Sequence, residues 1–300
     1  GRFSKFKARL VYDGHRSVFG RDFFETSSYM PSQKAMRMFF SLSASRDWDL
    51  AGFEISQAYT IAECPFDNSF MELPQMPPDS DNTDLRLGHG KGNGYVAKMK
   101  RMLYGHPSSG RFWMDRLIKF MSSIGAIQCI TDRMIFTWEF QGEQAMFLIH
   151  VDDIVISYSG CSIKEHFGHL IREEFGTDRV TGGEEPLTYV LGITIIRDRQ
   201  RQELTLSQGH FVKKMLDDFD MDYNTVRPVS TPLPTGVKLQ KWVGEPVPKE
   251  DFDYREFVGC MQWLVMGTRP DLLQAANSLS RHTQCPGPEH VTCAKHVLQY

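Results

Sequence analysis

Residues 145–158 read AMFLIHVDDIVISY, two apolar runs that meet at the adjacent carboxylates Asp152 and Asp153. Apolar, β-branched runs of this length on either side of two polar residues specify an antiparallel hairpin. Asp-Asp is nonetheless a poor tight-turn pair, because a type I′ turn needs positive φ at both positions and favours Asn-Gly or Asp-Gly. Two neighbouring carboxylates also repel, and a chain that keeps them together points to a compensating cation. Mg²⁺ suits such a place, since it takes carboxylate and phosphate oxygens around an octahedron. Two such ions about 4 Å apart can activate a hydroxyl nucleophile and stabilise a pyrophosphate leaving group. The plainer alternative is a solvated acidic turn.

A two-metal site requires a further carboxylate from another strand. Glu54, in GFEISQAY, is an acid within a weakly polar strand-like run and is the candidate. An exposed charge on an edge strand is the alternative for that residue.

The remaining composition narrows the class. Three hundred residues at 41% hydrophobic and 24% charged form an ordinary globular chain with room for two or three subdomains. No stretch of 18 uncharged apolar residues exists to span a membrane. The chain starts at Gly1 with basic residues and no apolar leader, which reads as an internal piece of a longer protein. The six cysteines are scattered without a close CxxC pair, as in reduced intracellular proteins. The net charge of −3 does not mark a nucleic-acid binder, but base is concentrated locally. Residues 1–21 hold six Lys and Arg against Asp13, and residues 91–119 hold seven against Asp115. Segregated basic segments suit a groove that grips a polyanion, or equally two solvated faces.

Along the chain, Phe6 to Tyr12 alternates as a strand, Ser32 to Ser45 carries helical spacing, and Leu50 to Ile61 is β-like. Residues 74–94, which include GHGKGNG, are loop by composition; the glycine-rich run lacks the Gly-Lys-Ser/Thr ending of a phosphate cradle. Arg111–Ile124 and Ile163–Phe175 read as helices, with strands at Met134–Phe140 and within Met146–Tyr158. Tyr189–Ile196 and Glu203–Leu206 read as further strands and Gly209–Phe219 as a helix. Five prolines between Pro228 and Pro248 mark a linker before a mainly helical end. Hairpin-linked strands mixed with helices favour an α+β architecture over a doubly wound sheet.

The motifs run in a recognisable order: FKARLV (6–11), RDFFETSSYMPS (21–32), FEISQAY (53–59), MLYGHPSSGRFW (102–113), HVDD (150–153), YVLGITI (189–195), TLSQGHFVKKML (205–216), STP (230–232) and the segment 257–290. Together they resemble the reverse transcriptase of copia-type LTR retrotransposons, from Phe6 to Tyr300. The resemblance implies a right-hand polymerase with fingers, palm and thumb over 1–225, a Pro-rich linker over 226–251, and a mainly helical connecting segment over 252–300. It implies an RNA-directed DNA polymerase within a Pol polyprotein, taking dNTPs and an RNA or DNA template with its primer. Mg²⁺, with Mn²⁺ as a substitute, would be held by Glu54, Asp152 and Asp153. Lys7 and Arg9 would contact the incoming triphosphate, Tyr59 would press on the sugar C2′, and Ser108 and Arg111 would lie near nucleotide and template. The setting would be intracellular, in cytoplasmic virus-like particles or the nucleus, with no membrane partner.

The departures fall within these motifs. Glu54 stands where the family has aspartate, and its extra methylene moves the carboxylate roughly 1.5 Å along the chain. His150 replaces tyrosine, Pro107 and Ser108 replace Lys-Gln, and Gly110 replaces proline. A second expectation therefore stands beside the first: a catalytically degenerate fold that binds nucleic acid only. Near the C-terminus, His282, Cys285, His290 and Cys293 offer zinc ligand types at short spacing, although Pro286-Gly287-Pro288 interrupts them. A terminal helix is the simpler reading there.

Overall fold

The structure, a computed structural model, describes residues 10–66, 69–72, 96–222 and 225–300. Lys7, Arg9, most of the expected Phe6–Tyr12 strand and the GHGKGNG loop lie outside them. The chain divides into two compact units, 1–186 and 187–300.

In chain order the first unit contains α1 (Gln33–Ser45), β1 (Asp49–Ile55), β2 (Phe70–Glu72), β3 (Val96–Lys98), α2 (Ser109–Ser123) and β4 (Ile127–Gln128). It continues with β5 (Ile135–Phe140), β6 (Glu143–His150), β7 (Asp153–Tyr158), α3 (Cys161–Phe175) and β8 (Val180–Pro186). Ser32 starts α1, its Oγ accepting from Ala35 N–H at 3.1 Å. The helix buries Met36, Phe39, Phe40 and Ser43, a stripe at three- and four-residue spacing.

Six strands form one antiparallel sheet in the order β4-β5-β6-β7-β1-β8. Period-two alternation sorts its side chains. Ile154, Ile156 and Tyr158 of β7, with Phe53 and Ile55 of β1, join the core made by Trp113, Leu117 and Phe120 of α2 and Phe167 and Ile171 of α3. The intervening residues, Val155 and Ser157 of β7 and Leu148 of β6, face the other way and are buried as well. α1 packs by β6. The central strands β6 and β7 are therefore buried on both faces over most of their length, and the Asp152-Asp153 carboxylates stand at one end of them.

The structure departs from the sequence reading in three places. The run from Leu50 is a strand only to Ile55, because Gln57 takes a left-handed φ of 57° and a 3₁₀ turn follows over Ala58–Ile61. Tyr59 thus sits in that turn and not in a strand. The second change is β8, whose VTGGEEP composition carries no strand signal; Gly182 and Gly183 let it lie close against β1. A Cβ on Gly182, at φ 86°, would stand 2.3 Å from the Gly52 carbonyl oxygen. Third, no strand is present over residues 10–12.

The second unit holds β9 (Tyr189–Val190), β10 (Ile193–Asp198) and β11 (Glu203–Ser207) in a small antiparallel sheet, then α4 (Gly209–Asp218), α5 (Tyr254–Gly267), α6 (Leu273–Ser280) and α7 (Pro288–Leu298). Leu191-Gly192, both at positive φ, split the expected Tyr189–Ile196 strand with a tight turn. Residues 225–251 contain neither helix nor strand, as their prolines require. Phe257, Met261, Ala275, Leu279 and Ala294 anchor a core separate from that of the first unit. His290 is buried in this unit with both ring nitrogens used: Nδ1 accepts from Gly287 N–H at 2.8 Å and Nε2 meets the Gln240 carbonyl oxygen at 2.9 Å. Its imidazole has no nitrogen left for zinc, and it belongs to the terminal helix α7.

Candidate active site

The β6–β7 hairpin carries the carboxylates, but its turn is framed one residue earlier than the sequence suggests. His150 pairs with Asp153, so the two turn residues are Val151 and Asp152, and Asp153 is the first residue of β7. Val151 has φ 57° while Asp152 does not share the positive φ, and a positive φ at the first position of such a turn ordinarily falls to glycine. A β-branched residue held there costs on the order of 1–3 kcal/mol and persists only where its surroundings enforce it. Two hydrogen bonds do so. Trp113 Nε1–H donates to the Val151 carbonyl oxygen at 2.7 Å, and Ile55 N–H donates to the Asp152 carbonyl oxygen at 2.9 Å.

Strand register supplies the second carboxylate. Asp153 is flanked by His150 of β6 on one side and by Glu54 of β1 on the other, and Glu54 in turn faces Thr181 of β8. These four residues form one row across four strands. Directly opposed residues of antiparallel strands place their Cβ atoms about 4.5–5.5 Å apart on one face. Glu54 is exposed, and Asp152, Asp153 and His150 are half-buried. Burial first, then the charges of Asp152 and Glu54, push the Asp153 carboxyl up from an ordinary 3.8 to about 6. Burial holds the His150 imidazole below its usual range, against the opposing pull of Asp152.

The donor chemistry fits Mg²⁺. Oxygen ligands are concentrated in one row, and their mutual repulsion is what a divalent cation relieves. Among the described residues no three His, Cys, Asp or Glu groups close into a ready-made metal cage. Mg²⁺ keeps several waters and is commonly held by one or two carboxylates plus substrate phosphates.

The other expected site residues have varied surroundings. Tyr59 is half-buried against Tyr104, with ring centroids 4.9 Å apart, and its hydroxyl pKa is raised by burial and by the nearby charge of Asp152. The 3₁₀ turn after β1 therefore brings Tyr59 to the acidic end of the sheet. Arg111 is engaged by two carboxylates, Glu25 at 3.0 Å and Asp115 at 2.7 Å, and lies over the Tyr29 ring at 5.6 Å. Ser108 is fully buried, and its Oγ donates to the Glu25 carbonyl oxygen at 2.5 Å. Its side chain braces the 21–32 segment on the start of α2.

Ion pairing recurs in the basic segments. Arg16 meets Asp13, Arg21 meets Asp22, Arg101 meets Glu63, and Arg116 meets Glu174. Local charge counts therefore overstate the cationic surface. Sequence reasoning also passed over Glu25, Tyr104, Thr181 and Trp113. Only the last carried a signal, as an indole donor on the buried side of an amphipathic helix that must find an acceptor.

A six-stranded antiparallel sheet backed by helices, with carboxylates gathered at one end, belongs to the α+β class expected of polymerases. The sequence model of the family Reverse transcriptase (RNA-dependent DNA polymerase) matches residues 2–234. The chain belongs to this family. It is 29% identical over 300 residues to a retrovirus-related Pol polyprotein from transposon RE2 and 27% identical to that from transposon RE1, both of Arabidopsis thaliana. It is 26% identical to the Pol polyprotein from transposon TNT 1-94 of Nicotiana tabacum. These matches cover 99–100% of this chain but only 19–22% of each relative, so the chain spans about a fifth of their length. They are copia-type elements, and the chain corresponds to their reverse transcriptase region. Among solved structures, a foamy viral protease-reverse transcriptase in complex with double-stranded DNA matches with a TM-score of 0.42 at 10% identity, covering 91% of this chain and 36% of that one. Among the described residues no helix is long and apolar enough to cross a membrane.

Proposed function

We propose that this chain is the polymerising domain of a longer Pol polyprotein, extending a primer on an RNA or DNA template from dNTPs, with Asp152, Asp153 and Glu54 as its metal carboxylates. The observation that carries the reading is the cross-strand pairing of Glu54 with Asp153, beside a strained turn that presents Asp152. Bound Mg²⁺ or Mn²⁺ would supply activation of the primer hydroxyl and charge neutralisation on the departing pyrophosphate. The chain's own contribution is to hold three carboxylates at one end of the sheet's buried central strands. Without a cation, burial and the neighbouring carboxylates raise the Asp153 carboxyl to about 6, so a metal ion there competes with a proton.

Tyr59, next to Asp152, is suited to packing on the sugar C2′ and excluding a 2′-hydroxyl. Lys7 and Arg9 would meet the triphosphate, and Arg111 would approach nucleotide and template on leaving Glu25 or Asp115. Ser108 would act through the 21–32 segment. Fingers, palm and thumb would lie within 1–225, followed by the linker 226–251 and a connecting segment over 252–300. The protein would act inside the cell, in virus-like particles or the nucleus, joined to the rest of its polyprotein.

Primer extension in Mg²⁺ and in Mn²⁺ tests this, comparing the parent chain with Asp153→Asn and Glu54→Asp. Loss of extension in Asp153→Asn supports the assignment, and undiminished extension refutes it. Glu54 itself favours a second reading, a nucleic-acid-binding remnant, because a carboxylate about 1 Å out of place can lower rate on the order of 10²-fold. That reading expects salt-sensitive primer–template binding with no extension in the parent.

A further inference from the structure

The turn that presents Asp152 is braced from beneath by a residue that carries no charge and touches no substrate. Trp113 lies on α2, fully buried, with its ring edge-on to Phe175 of α3 at 5.6 Å. Its only polar atom, Nε1–H, is spent on the Val151 carbonyl oxygen at 2.7 Å. That carbonyl belongs to the residue with φ 57°, and the next carbonyl, of Asp152, is held by Ile55 N–H of β1 at 2.9 Å. Successive peptide groups of the turn are thus fixed from two directions, one from helix α2 and one from strand β1.

We propose that Trp113 is a positioning residue: its indole hydrogen bond holds the Val151 peptide in the left-handed conformation, and so sets where the Asp152 carboxylate points relative to Asp153 and Glu54. A buried indole needs some acceptor in any fold, and Trp138 shows the ordinary solution, donating to the Ile124 carbonyl at the end of α2. Trp113 differs in its choice of acceptor, a strained turn residue immediately before two carboxylates. Without the donor, a β-branched residue relaxes toward negative φ and the following side chain is re-aimed. A site built to tolerances of about 0.5 Å loses function when a supporting group is removed, even where the fold survives.

The inference rests on Asp152 and Asp153 being metal ligands, and the test separates the two. Trp113 is replaced by β-(3-benzothienyl)alanine, which keeps the bicyclic shape with sulfur in place of N–H, and in a second variant by Phe. Mn²⁺ binding to the full chain is measured by electron paramagnetic resonance and calorimetry alongside thermal melting, with Asp153→Asn as control. The isostere is expected to melt close to the parent, bind Mn²⁺ about 10-fold more weakly, and extend primers roughly 10- to 100-fold more slowly with dNTP KM changed less than about 2-fold. An isostere with parental Mn²⁺ affinity overturns the proposal while leaving the metal assignment intact. If Asp153→Asn binds Mn²⁺ as the parent does, the metal assignment fails and takes this inference with it. An isostere that no longer folds would make the hydrogen bond a prop of the fold, which also overturns the proposal.

Discussion

Glu54 and Asp153 are direct cross-strand partners, one on β1 and the other on β7, beside the turn that joins β6 to β7. Their pairing converts two sequence features roughly a hundred residues apart into one electrostatic unit. Burial of Asp153 raises its pKa first, and the charges of Asp152 in the adjoining turn and of Glu54 add to it.

That unit should be detectable as a stability penalty. The folded pKa of Asp153, about 6, lies above its ordinary 3.8, so the native state binds this proton more tightly than the unfolded chain. Stability from this group is fully present below pH 3.8 and is lost as pH rises through 6. Asp153→Asn in metal-free buffer is therefore expected to melt roughly 2–5 °C above the parent at pH 8, with the difference closing toward pH 4. Saturating Mg²⁺ should raise the melting temperature of the parent and leave that of the variant nearly unchanged. Differential scanning calorimetry across pH checks both; a variant that melts below the parent at pH 8 without metal contradicts the electrostatic account.

Tyr59 offers a test of substrate selection. Tyr59→Val, which removes the ring that packs on Tyr104 and feels the charge of Asp152, is expected to raise ribonucleotide incorporation relative to dNTP about 10-fold or more. Competing rNTP and dNTP extension assays give the ratio. An unchanged ratio would remove Tyr59 from the sugar pocket.

Arg111 is held by Glu25 and Asp115, and Glu25 is the more exposed carboxylate of the two. Glu25→Gln frees one side of the guanidinium and removes a negative charge. Primer–template affinity at low salt should rise by about 2- to 5-fold, with the slope of log affinity against log salt steeper by up to about one. Fluorescence anisotropy over a salt series measures both quantities, and a slope that does not change would place Arg111 away from the nucleic acid.

The pairing of β8 with β1 depends on Gly182. Gly182→Ala puts a Cβ 2.3 Å from the Gly52 carbonyl oxygen at a φ of 86°, so the backbone must move. A loss of about 2–4 kcal/mol is expected in urea titration. Gly142→Ala, also at positive φ (80°) but with open space around it, should cost less and serves as the control.

Much of this organisation is legible in the residues. The two apolar runs of 145–158 identify the hairpin, Ser32 marks the start of α1, and the apolar spacing of 111–124 marks α2, each within three residues of the observed element. The turn frame is not legible, because local rules make Val151 a strand residue and assign the turn to Asp152-Asp153. Hydrogen bonds from Trp113 and Ile55, distant in sequence, override that preference. β8 escapes for a related reason: Gly-Gly-Glu-Glu has no β propensity of its own, and its strand exists only by fitting against β1. The pairing state of the arginines is equally invisible, since Glu25, Glu63 and Glu174 come from elsewhere in the chain.

The place of β1 in the sheet has a consequence for biosynthesis. Its two neighbours, β7 and β8, are both made roughly 100 residues or more after it, so for several seconds at ribosomal speeds of about 5–20 residues per second the strand has no partner on either edge. The hairpin β6–β7 can form as soon as it emerges, whereas the acidic row is completed only when the waiting strand inserts beside it. The pairing of β1 with β7 is thus also the step that brings Glu54 to Asp153. A nascent or truncated chain ending before residue 180 carries all three carboxylates yet leaves LAGFEI with one edge open, an invitation to pair with another unfinished copy.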